Sequence, residues 1–140
     1  MFSIEITSSF SAAHALRLPD GGIEPLHGHD FHVTVRFAAD QLDDLETVAD
    51  FHKLEGLLRS ILRRFQNQNL NDLEPFKTKV NPSAERIAEH LGRSLISLFE
   101  EFRRTDVGQS LKNDRNLRLL EVRLTEAVGC LAIWSPNPAY

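Results

Sequence analysis

The sequence predicts an α+β fold: a four-stranded antiparallel sheet with two helices packed on one face. Three observations predict it. Residues 2–14 and about 29–39 alternate apolar and polar with a period of two, as strands with one wet face do. The middle of the chain carries two apolar stripes at helical spacing. Two further alternating runs, 117–126 and about 129–135, close the sequence.

In the first strand, Phe2, Ile4, Ile6, Phe10, Ala12 and His14 share one face, and Ser3, Glu5 and Thr7 the other. Residues 18–26 hold two prolines and a Gly-Gly pair and read as a loop. In the second strand Phe31, Val33, Val35 and Phe37 oppose His32, Thr34 and Arg36, so the two runs read as antiparallel neighbours. Asp50 is placed to cap a helix whose stripe is Phe51, Leu54, Leu57, Leu58, Ile61, Leu62 and Phe65. Residues 66–80 are polar and irregular. Asn81 as N-cap and Pro82 in the first helical position start a second helix. Its stripe is Ile87, Leu91, Leu95, Leu98, Phe99 and Phe102. Gly92 within it marks a close packing point, at a propensity cost of about 1 kcal/mol. Residues 103–116 read as a polar connection. On 117–126, Leu120, Val122, Leu124 and Glu126 fall on one face. Such a sheet has two exposed edges, which invite pairing with another chain.

The 140 residues suit a single domain with a core of its own. Hydrophobic residues at 41% and charged residues at 26% argue against disorder and against a membrane protein. No apolar run approaches the roughly 18 residues of a membrane span. The first residues lack the basic and apolar regions of a signal peptide, so the protein is expected in the cytoplasm. A net charge of -4 gives no reason to expect nucleic acid as a partner. The pairs Arg63–Arg64 and Arg103–Arg104 fall near predicted helix ends, where cations suit the dipole. The single cysteine, Cys130, excludes an internal disulfide and any multi-cysteine zinc site. A metal here must be held by histidine and carboxylate.

His27 and His29 are two apart at the start of a strand, so both rings point to one face. His14 ends the apolar face of the first strand. If the two strands pair, three imidazoles converge, and three histidines with one open position let zinc activate a substrate or water. Gly28 between the pair allows a close approach. On spacing alone an incidental His-x-His pair stays the alternative. His32 faces the other way and reads as a surface histidine, and His52 and His90, on predicted helices, read as solvated.

Five segments carry a resemblance: SSFSAAHAL (8–16), LHGHDFHVTV (26–35), VADFHKL (48–54), NPSAERIAEHL (81–91) and VRLTEAVGCLAIW (122–134). In this order the chain resembles the 6-pyruvoyl-tetrahydropterin synthase and 6-carboxy-tetrahydropterin synthase family over nearly its whole length, as one domain spanning 1–140. The resemblance implies the tunnelling fold, in which units of two helices and four strands pair their edges into a barrel. It implies a homo-oligomer, usually trimers stacked into hexamers. It implies a zinc ion on His14, His27 and His29, and a pterin anchored by Glu126. That carboxylate would accept hydrogen bonds from the ring N–H and the 2-amino group. Ser83 matches a hydroxyl that contacts the pterin, with helix capping as the alternative, and Glu85 reads as a first-turn dipole residue.

The resemblance fails at two places. The synthases carry a cysteine shortly before the HGH motif, where this chain reads Gly21-Gly22-Ile23-Glu24-Pro25-Leu26. They carry an Asp-His pair where this chain has Gln66 and Asn67, amides that cannot shuttle protons near neutral pH. Glu24, three residues before His27, is similar to the glutamate of the type III enzymes of folate synthesis. That resemblance implies a zinc-dependent lyase acting on 7,8-dihydroneopterin triphosphate or a close relative. It would cleave the three-carbon side chain to give 6-hydroxymethyl-dihydropterin, with Glu24 as base. Glu24 as a solvated loop residue remains the alternative. So do a non-catalytic pterin- or purine-binding protein and a zinc hydrolase.

Overall fold

A computed structural model describes residues 1–104 and 117–137. Two strands, β1 (Phe2–His14) and β2 (His27–Ala39), come first. Helix α1 (Phe51–Leu62), a short strand β3 (Gln68–Asn69) and a 3-10 turn (Leu70–Asp72) follow. Then come α2 (Ala84–Arg104), β4 (Arg118–Ala127) and β5 (Cys130–Trp134). The polar connection expected at 103–116 lies, from 105 onward, outside the described residues.

The α+β layering is as the sequence predicts, but the sheet is not four-stranded and antiparallel. It has five strands in the order β3-β1-β2-β4-β5, and β3 runs parallel to β1 through Ala12↔Gln68 and Ala13↔Asn69. The Asn67 N–H donates to the Ser11 carbonyl at 2.7 Å just before this pairing. A two-residue strand has no period to read, and it forms because the free edge of β1 offers backbone partners. The remaining neighbours are antiparallel, with β1 and β2 in register from Phe2↔Ala39 to His14↔His27.

Both helices cover the face bearing Ile6, Phe10, Phe31, Val33 and Val35. Phe10 stacks on Phe31 with ring centroids 5.0 Å apart, and Phe65 leans on Phe10 at 5.8 Å. From α1 come Leu54, Leu58, Ile61 and Leu62, and from α2 Ile87, Leu91 and Leu95, all buried. Each such side chain contributes about 1.5–3 kcal/mol by leaving water. Trp134 of β5 packs closely against Gly92, where an added Cβ would collide with ring carbon Cζ3. The glycine is therefore a place for the indole to sit.

Three local expectations need correction. Asn81 does not cap α2; its side chain bonds the backbone of Arg17 instead. Ser83 is the cap: its carbonyl accepts from the Ile87 N–H at 2.9 Å and its hydroxyl from the Arg86 N–H at 3.4 Å. Leu120 does not share a face with Val122 and Leu124. The β2–β4 register steps from Arg36↔Glu121 to Phe37↔Leu119, so Leu120 is an extra residue and Leu119 packs on the core. His90 is half-buried, edge-on to Phe65 and Phe76 at 5.7 and 5.6 Å, whereas His32 and His52 are exposed as expected. Among the described residues no helix is long and apolar enough to cross a membrane.

Candidate metal centre

The end of β1 and the start of β2 bring three imidazoles together. His14 pairs with His27 across the ladder, and His29 pairs with Ala12. Ring centroids lie 4.6 Å apart for His14 and His27, 5.0 Å for His27 and His29 and 5.3 Å for His14 and His29. His14 is 2% exposed, His29 half-buried and His27 exposed, so the cluster opens toward the loop side.

Burying an imidazole requires partners for its nitrogens. His14 Nδ1 lies 2.7 Å from the Pro82 carbonyl and His27 Nδ1 lies 2.8 Å from the Pro25 carbonyl. A carbonyl only accepts, so Nδ1 is the protonated nitrogen in both rings and Nε2 carries the lone pair. Backbone partners of this kind orient metal-binding histidines and fix their tautomer.

Glu126 approaches from β4. The β4–β5 register steps from Thr125↔Leu131 to Ala127↔Cys130, so Glu126 is the extra residue of a second bulge. Its Oε1 lies 2.8 Å from His14 Nε2 and 3.5 Å from His29 Nε2. The shorter contact lacks hydrogen-bond geometry, and His14 Nε2 is buried without a partner. An imidazole lone pair facing a carboxylate oxygen is two acceptors in contact, which a cation between them resolves. One ligand atom from each of His14, His27, His29 and Glu126 falls within 4.8 Å of the others. Three neutral imidazoles and a carboxylate are ligands that suit zinc. The residues present therefore fit a metal ion, which the three imidazoles would hold, His14 through Nε2, with the Glu126 carboxylate beside them.

Glu24, Ser83 and Glu85 border the same cleft of about 670 Å³ as the three histidines and Glu126. Glu24 Oε1 accepts the Leu16 N–H at 2.8 Å, and the Glu24 N–H donates to the Leu16 carbonyl at 3.0 Å. Glu24 is thus tied two residues beyond His14. Cys130 also borders the cleft, a placement that the two-residue turn Val128-Gly129 would have indicated by setting it beside Glu126. Gln66 and Asn67 do not border it. Gln66 Oε1 accepts the Ser11 N–H at 3.2 Å and its Nε2 donates to Asn67 Oδ1 at 3.0 Å, so both amides brace the β1 edge. The side chains of Asn71 and Asn81 bond the backbone on either side of Leu16, and nothing in their sequence spacing marks them.

The family described as 6-pyruvoyl tetrahydropterin synthase matches residues 3–137 of this chain. The comparison with curated proteins finds no match. Among solved structures, the chain is similar to a Caenorhabditis elegans 6-pyruvoyl tetrahydropterin synthase, with TM-score 0.72 and 22% identity over 97% of this chain and 96% of that one. It is similar to a Plasmodium vivax 6-pyruvoyltetrahydropterin synthase described as a catalytic-residue mutant, in which alanine replaces a glutamate. There the TM-score is 0.69 and the identity 18%, over 98% of this chain and 99% of the other. A Plasmodium falciparum 6-pyruvoyl tetrahydropterin synthase matches with TM-score 0.68 and 20% identity, over 96% and 98%. The structural likeness speaks for the fold, and the family match along almost the full sequence settles membership: the chain belongs to the 6-pyruvoyl tetrahydropterin synthase family.

Proposed function

We propose that this protein is a zinc-dependent pterin lyase of the type III kind. It would act on 7,8-dihydroneopterin triphosphate or a close relative and cleave the three-carbon side chain toward 6-hydroxymethyl-dihydropterin. The observation that carries the reading is the placement of Glu24 in the same cleft as His14, His27, His29 and Glu126, while Gln66 and Asn67 are turned to the strand edge. A zinc ion held by the three histidines would supply Lewis-acid polarisation of substrate oxygens. Glu126 offers a carboxylate to the paired donors of a pterin ring. Ser83, on the N-terminal side of α2, offers a hydroxyl beside it. Glu24 is the base that removes a side-chain hydroxyl proton as the carbon–carbon bond breaks. Its anchoring by Leu16 holds one oxygen still, which is what positioned proton transfer needs. A catalytic glutamate in the Plasmodium vivax relative supports the choice. The protein would work in the cytoplasm as a homo-oligomer of the tunnelling type, a hexamer built from two trimers, with no nucleic acid or membrane as partner.

Zinc-loaded protein given dihydroneopterin triphosphate should form 6-hydroxymethyl-dihydropterin, followed by chromatography. Glu24→Gln is the informative variant, because its amide oxygen still accepts the Leu16 N–H while the base is lost. Turnover should fall by about 10²-fold or more. A Glu24→Gln protein as active as the parent sinks the assignment. The bracing role of Gln66 and Asn67 also favours a second reading, a pterin- or purine-binding protein without catalysis. Pterin binding abolished by Glu126→Ala, with no turnover by the parent, would decide for it.

A further inference from the structure

We propose that Asn81 is a positioning residue of the metal centre: it holds the Pro82 carbonyl on His14 Nδ1 and so aims the His14 ring. The inference rests on the reading of His14, His27 and His29 as metal ligands. His14 is tied to a carbonyl that is remote in sequence, 68 residues away. That carbonyl belongs to a proline, which has no N–H with which to anchor itself. Its position is set by the residue before it. Asn81 Oδ1 accepts the Arg17 N–H at 2.8 Å and Asn81 Nδ2 donates to the Arg17 carbonyl at 2.9 Å. The amide thus stands in for a neighbouring strand. Arg17 lies three residues beyond His14, so a short ring of bonds closes through His14, Arg17, Asn81 and Pro82.

The Arg17 side chain tightens the same ring. Its guanidinium donates to the Phe76 carbonyl at 2.8 Å and to the Val80 carbonyl at 2.6 Å, which fixes the segment leading into Asn81. Between His14 and Arg17, Asn71 repeats the amide pairing on Ala15: Oδ1 accepts at 2.9 Å and Nδ2 donates at 2.8 Å. With Ala15 and Arg17 both held, the Pro82 carbonyl selects the tautomer that leaves His14 Nε2 free, and that atom is buried without a partner. Removing the Asn81 amide frees Arg17 and Pro82 together, and the ring loses its aim without losing its ligand atom.

The test compares the parent with Asn81→Ala and Asn81→Asp, the latter keeping an acceptor for the Arg17 N–H. Three quantities are read on each full-length protein: zinc affinity by competition with a chromophoric chelator, the visible spectrum with Co2+ in place of zinc, and the Tm of the metal-free form. Zinc should bind Asn81→Ala about 10–100-fold more weakly than the parent. The Co2+ bands should shift, and Asn81→Asp should fall between. Should Asn81→Ala fail to fold, the Asn81→Asp comparison decides alone. Unchanged affinity and spectrum, with only a lower Tm, would make Asn81 a structural residue and overturn the proposal while leaving the metal site intact. A parent that takes up neither zinc nor Co2+ overturns both.

Discussion

His90 sits on α2 with Phe65 and Phe76 against its ring edges, and burial holds its pKa below the ordinary 6.5, with nearby Arg64 adding to the effect. The folded protein prefers the neutral ring more than the unfolded chain does, so below about 6.5 the unfolded chain binds more protons. His90 therefore contributes stability that is present above that pH and is lost as pH falls toward its folded value. In metal-free protein, the Tm of the parent should drop more steeply between pH 7.5 and 5 than that of His90→Phe. Parallel curves would contradict this. The residue was misjudged from sequence because polarity on a helix suggests solvent, whereas position 90 borders the Ile87–Leu91 stripe. The three metal-cluster histidines were legible for the opposite reason, since strand parity fixes where a side chain points. Glu126 was legible as the end of an apolar strand face but not as a neighbour of His14. Alternation puts Glu126 on the face of Val122 and Leu124, but its distance from His14 is set by the pairing of β4 with β2, which the sequence does not spell out.

At the scale of elements, long periodic segments were readable and short or irregular ones were not. β1, β2, α1 and α2 bury faces wide enough to impose a pattern over ten or more residues. β3 imposes none, and it changes the sheet from four antiparallel strands to five of mixed direction. The start of α2 was misplaced because Asn81-Pro82 satisfies every local rule for a helix entrance, while the Arg17 backbone outcompetes the helix for the asparagine side chain. The packing of α2 on β5 gives a prediction in which two effects oppose. Alanine at position 92 improves helix propensity by about 1 kcal/mol. Its Cβ would also collide with an indole that Arg93 covers at 5.8 Å from its centre. Overpacking of this kind costs about 1–3 kcal/mol and exceeds the gain. Gly92→Ala should lower stability in urea titrations, and Trp134→Leu in the same chain should recover part of the loss. An additive double variant would contradict the contact.

Across the whole molecule, the face opposite the helices is largely polar, but β5 ends it with Leu131 and Ile133 at 53% and 54% exposed, beside a fully exposed Val128. An apolar edge strand of this kind is a pairing surface unless covered. The protein should sediment as a multiple of its 15.9 kDa chain, and Ile133→Lys should shift it toward smaller species. A monomeric parent would contradict the assembly proposed above. The bonds around His14 carry a further meaning. They join residues 56, 64 and 68 positions apart. Loops of that length close only after local structure has formed. During synthesis, all three histidines are made before Asn81 and Pro82 exist to orient the first of them. A nascent chain therefore carries the ligands of a metal site without its geometry, and the site is completed only when the second half of the chain arrives.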